Sequence, residues 1–294
     1  MPESLAQRLG FDDEARVAIV HADDIGMCHA ANDGGLEVLA NGPATCGSLM
    51  VPCPWFTEAA AFAVDMPDID LGVHLTLNAE WAGYRWGPVL GPSAVPSLCA
   101  PDGGLLRTTA ETVAAALPAE VEAELRAQIE TALAAGIDVT HLDAHMGTAF
   151  MPPFVSVYTK LAREFRLPVL ALRPDPSLAN DRALDLAPLL AEVDALAADG
   201  WPILDGLCAD SLHFEPGGGQ AHNRERLRRL APGVTYLICH PARGGEELDA
   251  IAPEAHCREF ERTFYGGNAG REALASEGIT TVGMRALRDL LRRH

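Results

Sequence analysis

No two cysteines in this chain are spaced as CxxC, and no apolar run approaches the roughly 20 residues of a membrane span. The seven cysteines (Cys28, Cys46, Cys53, Cys99, Cys208, Cys239 and Cys257) are scattered and odd in number. That pattern argues against a disulfide framework and makes cytoplasmic residence the expectation. The opening MPESLAQRLG lacks a basic region followed by an apolar one, so neither export nor integral membrane association is expected. Basic residues are also scarce. With 22 of them against 41 acidic ones, and a formal charge of −19, the chain lacks the basic surface that displaces counterions from nucleic acid or an anionic membrane. A small or neutral substrate fits better. What is present is 294 residues with 48% hydrophobic content, enough for one large α/β domain or two small ones.

The stretch VAIVHADDIGMCHAANDG, residues 17–34, organises the rest. Its β-branched run at 17–20 predicts a buried strand ending in two carboxylates, Asp23 and Asp24, ahead of a helix at 29–39. Neighbours on an extended chain point to opposite sides, so the two acids need not do the same job. Further strands are expected at 45–51, 70–78, 139–144, 169–172, 202–208, 235–239 and 279–282. Helices are expected between them: a proline-initiated one at 52–64, an amphipathic one at 118–135 stopped by Gly136, and others at 154–165, 184–198 and 222–230. An irregular helical region spans 253–274, and a terminal helix 284–293. RPDPS, 173–177, reads as a turn. No repeat or linker divides the chain. Seven or eight mostly parallel strands alternating with helices predict a single α/β domain, a (β/α) barrel that is closed or nearly closed. The long, weakly periodic connection at about 79–117 reads as a lid or binding loop. Its Trp81, Tyr84 and Trp86 suit a sugar face, or equally a loop anchored by its own aromatics.

The C-terminal ends of these strands carry Asp23 and Asp24, His74, then His141, Asp143 and His145, then Arg173, and finally His240. One strand histidine is more often a satisfied core residue than a ligand. Several of them opposite paired carboxylates read instead as a first-row metal site with positions open to water and substrate. His21, His29, His213, His222, His256 and His294 read as core or surface histidines.

In order and spacing, ADDIG, GVHLTLN, HLDAH and ICHP resemble the YdjC/ChbG-like carbohydrate deacetylases, which include a hopanoid-biosynthesis branch. The resemblance runs over most of the chain. It implies a variant (β/α) barrel and one divalent metal, magnesium or zinc, held by an aspartate and two histidines. By position, Asp24, His74 and His145 match the ligands, Asp23 the catalytic base and His240 the catalytic acid. The chain departs from the family at Met146-Gly147, where a histidine-rich run is common, and at Ile25, where phenylalanine is usual; both bear on the substrate.

The implied reaction removes an acetyl group from an N-acetylated sugar or sugar-containing metabolite. A metal would activate the attacking water and polarise the carbonyl, Asp23 would take the water's proton, and His240 would protonate the departing nitrogen. Arg173 is expected to hold Asp23 ionised, and Asp143 to orient a ligand histidine. His141, Trp81 and Trp86 are further candidates around the site. The competing readings are another metal-dependent amidohydrolase or phosphoesterase, and a metal-bound sugar-binding protein without catalysis. Phosphate chemistry would add basic residues, of which only Arg173 and Arg243 are candidates, and a binding relic would have lost its base or acid. The oligomer is left open, with a homodimer among the options.

Overall fold

The computed structural model describes residues 3–173 and 186–293. The fold is α/β, built on a parallel sheet whose longest strand is β1 (Arg16–Ile25). Around it lie β2 (Cys46–Leu49), β3 (Leu71–Leu75), β4 (Val139–Ala144), β5 (Gly206–Cys208) and β6 (Gly233–Cys239), in the order β4-β3-β2-β1-β6-β5. β7 (Ile279–Thr281) pairs with the start of β1. One edge of β1 thus meets β7 at 16–18 and β2 at 21–25, while the other follows β6 from Arg16 to Ala22. Every residue of β1 after Arg16 is buried, which explains its continuous apolar start. Val17 and Ile19 face a small core with Cys46, Val234 and Tyr236, while Ala18, Val20 and Ala22 join the larger core under the helices.

The helices follow the sequence pattern with shifted ends. α1 (Leu5–Arg8) is capped by Ser4, and α2 (His29–Asn41) follows β1. α3 (Phe56–Asp65) starts later than expected, after a turn. Within the long connection, α4 (Thr109–Ala115) begins in a Thr108–Glu111 capping box. α5 (Pro118–Ala134) has proline in its first turn. α6 (Val155–Phe165) and α7 (Ala187–Ala198) precede β5, and α8 (Gly219–Arg228) precedes β6. α9 (Glu246–Ile251) follows β6. The region expected to be irregular at 253–274 resolves into α10 (Ala255–Gly266) and α11 (Asn268–Ser276), broken at Gly267. α12 (Met284–Arg292) ends the fold. The expected turn at 174–177 and the first residues of the helix expected at 184–198 lie outside the described residues.

Two expected strands differ. Residues 169–172 form only isolated bridges, Val169 to Leu142 and Leu172 to Leu204, and the strand expected at 202–208 shortens to β5. The Tyr158 hydroxyl joins this junction: it donates to the Leu142 carbonyl (2.8 Å) and accepts from the Leu170 amide (3.0 Å), beside a direct Leu170-to-Leu142 backbone bond of 3.3 Å. Prolines at 168 and 202 also supply no amide donors. Among the described residues the regular ladder is therefore a curled half-barrel of parallel strands, not a closed ring. No described helix is long and apolar enough to cross a membrane.

Candidate metal and proton-transfer site

At the end of β1 the alternation of a strand breaks. Asp24 has φ +66°, in the left-handed region, and the pairing with β2 shifts register between Ala22 and Ile25. Aspartate tolerates this conformation better than most residues, at about 1–2 kcal/mol. The result corrects the expectation that the two acids diverge. Both approach the same imidazole: His74 Nε2 lies 3.5 Å from Asp24 Oδ1 and 3.9 Å from Asp23 Oδ2.

Asp24, His74 and His145 converge, all buried, with one ligand atom of each within 4.8 Å of the others. His145 Nδ1 is 3.3 Å from Asp24 Oδ1. It sits just past β4, in a turn where Met146 and Gly147 both have positive φ. The outward nitrogens are taken by carboxylates: His74 Nδ1 by Asp143 Oδ1 at 2.8 Å, with Ser48 Oγ at 3.0 Å, and His145 Nε2 by Glu80 Oε2 at 3.0 Å. Each imidazole then carries its proton outward and turns a lone pair inward. Asp24 Oδ2 accepts from Arg258 Nη1 at 2.8 Å, while Asp24 Oδ1 is buried without a hydrogen-bond partner among the described residues.

Two inward imidazole lone pairs around an orphaned carboxylate oxygen suit a divalent cation, and the one-carboxylate, two-imidazole donor set matches its chemistry. Without a cation, protons are drawn in. Burial lowers His145, but Glu80 and Asp24 outweigh it and raise the imidazole to about 9. Burial likewise opposes the charging of His74, yet Asp143, Asp24 and Asp23 push it well above its ordinary value. Burial would raise Asp24, but Arg258 and the two histidines hold it well below the usual carboxylate range. A second grouping, His21, Cys46 and His141, fits a cation less well, because the two imidazoles already share a hydrogen bond.

The other face of the site belongs to Asp23 and His240, whose Oδ2 and Nε2 are 3.8 Å apart. His240 follows β6, and its Nδ1 lies 2.8 Å from Ser211 Oγ, which donates to Glu261 Oε2 at 2.6 Å. The same oxygen accepts the His240 amide (2.8 Å), and the other Glu261 oxygen holds fully buried Arg226 at 3.1 Å. With Ser211 accepting at Nδ1, Nε2 is the nitrogen turned to Asp23. Burial lowers the His240 pKa, opposed by Asp24 and Asp23.

Several expected roles fall elsewhere. Arg173 does not reach Asp23: its amide donates to the Leu204 carbonyl at 2.9 Å, while its exposed side chain turns to Asp205 at 2.8 Å. Asp23 is held instead by His21, whose Nδ1 is 2.5 Å from Asp23 Oδ1. His21 is the buried histidine expected, and its position two residues before Asp23 on a strand puts its ring on that acid's face. His141 lies behind the site, against His21.

Trp86 is buried, its Nε1 donating to the Asn78 carbonyl at 2.9 Å, and Tyr84 donates to the Met27 carbonyl at 2.7 Å. Trp81 is partly buried, with the Arg258 guanidinium 5.9 Å from its ring centre. Glu80, Arg258, Ser211 and Glu261 carried no strand-end signal. Arg258 and Glu261 are three residues apart on one face of α10, so a single helix supports both faces of the site.

The sequence profile of the YdjC-like protein family matches residues 17–276. A carbohydrate deacetylase of Thermus thermophilus is 34% identical over 288 residues, covering 98% of this chain and 99% of the relative. One from Geobacillus stearothermophilus is 34% identical over 228 residues, 77% of this chain and 80% of the relative. Among solved structures, an Enterococcus faecalis protein named for cellobiose-phosphate cleavage superposes with a TM-score of 0.75 over 93% of this chain and 99% of its own, at 23% identity, a likeness of fold. Site geometry aside, the match along nearly the whole length shows that this chain belongs to the YdjC-like family.

Proposed function

We propose that the chain is a metal-dependent hydrolase that removes the acetyl group from an N-acetylated sugar or sugar-containing metabolite. Family relatives named carbohydrate deacetylases support the substrate class. The observation that carries metal dependence is the buried, unpartnered Oδ1 of Asp24 facing two imidazoles whose other nitrogens are held by carboxylates. Asp24, His74 and His145 would hold one divalent ion, magnesium or zinc. When bound, it lowers the pKa of a coordinated water and polarises the acetyl carbonyl.

The remaining work falls to the chain's own side chains. Arg258 occupies one oxygen of Asp24 and so aims the other at the ligand position. Asp23, fixed through Oδ1 by His21, keeps Oδ2 free to accept the attacking water's proton. His240, with Nδ1 anchored on Ser211, gives a proton from Nε2 to the departing nitrogen. The connection at 79–117 acts as a wall of the pocket, through Glu80 behind His145 and Trp81 over Arg258. We also infer that the bridges at 169 and 172 bring the two sheet edges together as a barrel-like enclosure.

The test is acetate release from a panel of N-acetylated mono- and disaccharides by protein reconstituted with magnesium or zinc. Release that disappears with chelation and returns with metal is expected. Metal-loaded protein that binds these sugars and releases no acetate would make it a binding protein instead.

A further inference from the structure

Asn32 is buried within α2, only 1% exposed, and neither the ligand set nor the proton carriers use it. Asparagine is a poor helix former, and a side-chain amide removed from water must find partners. Its oxygen Oδ1 accepts the Gly26 amide at 2.6 Å, and Nδ2 donates to the Trp55 carbonyl at 3.0 Å and to Glu58 Oε2, on α3, at 2.7 Å. These partners fix which way the amide faces, because a backbone N–H can only donate and a carbonyl can only accept.

The contact to Gly26 bears on Asp24. Residues 24–27 make a turn closed by the Met27 amide on the Asp24 carbonyl at 3.1 Å, with Asp24 at φ +66° and Gly26 at φ +96°. Around it, the Ile25 carbonyl accepts from the Met50 amide (2.7 Å) and the Gly26 carbonyl from the Trp55 amide (3.2 Å). The Gly26 amide is the group of this turn that a side chain satisfies, and that side chain is Asn32. Glycines bring α2 flush against its neighbours: a Cβ added at Gly35 would come within 2.6 Å of Ile25 Cγ1, and one at Gly34 within 2.5 Å of the Ala242 backbone.

We propose that Asn32 is a positioning residue for Asp24: by taking the Gly26 amide it holds the turn in which Asp24 is left-handed, and so keeps the unpartnered carboxylate oxygen aimed at His74 and His145. The inference rests on the reading of Asp24 as a metal ligand. A left-handed aspartate is strained, and such a conformation persists only where its surroundings over-determine it. Arg258 fixes the carboxylate from the side-chain end, and Asn32 fixes the backbone behind it. Asparagine suits the place because it offers Gly26 an acceptor and Trp55 and Glu58 donors at once. Aspartate would keep the acceptor but set its second oxygen against the Glu58 carboxylate and the Trp55 carbonyl, and leucine, of similar size, offers neither.

The test compares Asn32→Leu, Asn32→Asp and the pair Asn32→Asp with Glu58→Gln in the full chain. Zinc affinity is read by chelator competition, stability by melting, and the backbone at Asp24 from crystals of the metal-free proteins. Asn32→Leu leaves the Gly26 amide without its partner, so Asp24 should leave the left-handed region and zinc should bind about 10–100-fold more weakly. Asn32→Asp should also bind more weakly, and adding Glu58→Gln, which gives the new carboxylate a donor, should restore the affinity. A merely structural asparagine predicts instead that affinity follows melting temperature across the variants. Asp24 still left-handed in Asn32→Leu, or zinc held there as tightly as in the wild type, overturns the proposal. So does a paired variant that folds and binds zinc as weakly as Asn32→Leu. Asp24→Ala is read separately: if it loses zinc while Asn32→Leu keeps it, the ligand stands and the positioning role fails. If Asp24→Ala binds zinc like the wild type, the ligand reading fails, and the backbone at Asp24 in Asn32→Leu still decides whether Asn32 holds the turn.

Discussion

Asp23 and Asp24 share a peptide bond, yet the two faces of the site they serve are built on different plans. The ligand face, with Asp24, His74 and His145, is an electrostatic cage in which three donors point inward and Arg258, Asp143 and Glu80 hold them from outside. The proton-carrying face, with Asp23 and His240, has each working group tethered by one nitrogen or oxygen and free at the other. A cage must suppress motion and protons, whereas a proton carrier needs one atom open to change its partner. The left-handed backbone at Asp24 lets consecutive residues meet both requirements.

The sharpest way to separate the faces is to remove one and keep the other. Asp24→Ala, His74→Ala and His145→Ala should each reduce bound metal to a small fraction of wild type and abolish hydrolysis, as read by metal analysis after gel filtration. Asp23→Asn should keep the metal while lowering turnover by about a hundredfold or more. His240→Ala should cost a similar factor. Because the acid works protonated and burial lowers its pKa, the wild-type rate should fall as pH rises from below the ordinary histidine value of 6.5, and His240→Ala should flatten that limb.

Smaller changes grade the supports. Asp143→Asn and Glu80→Gln each leave a ligand histidine without its carboxylate, and should weaken metal binding by about 10–100-fold in chelator competition. If both variants bind metal as the wild type does, the outer carboxylates are mere packing. Ser211→Ala, on the proton-carrying face, should leave metal affinity unchanged and cost about 1–2 kcal/mol of support at His240 Nδ1, about tenfold in turnover.

The cage also makes a proton prediction. His74 and His145 lie raised in the metal-free protein, the latter to about 9, so at pH 7 both hold protons that a cation must displace. Metal loading at pH 7 should release about one to two protons per ion, and fewer above pH 9. Calorimetry in buffers of different ionisation enthalpy measures the number, and a value near zero would mean that the histidines were already neutral.

Much of the ligand face was legible before any fold was known, because Asp24 and His74 sit at the ends of strands whose apolar pattern is unmistakable, with His145 one residue past a third. The same local logic misplaced Arg173, whose exposed side chain turns to Asp205 and away from Asp23. It also treated Asp23 and Asp24 as opposite in direction, since nothing in the pattern announces a left-handed residue.

The sequence by itself determined the parallel α/β order, the buried first strand, and which acids and histidines stand at strand ends, because periodicity and turn chemistry act over a few residues. Tertiary structure alone decided what holds them. Arg258 reaches Asp24 across 234 residues, and Glu261 reaches the His240 amide from the same helix, α10. Burial then sets the strength of these contacts. Removed from water, a charge or a donor must find its partner wherever the fold has placed one, and distance along the chain carries no information about that.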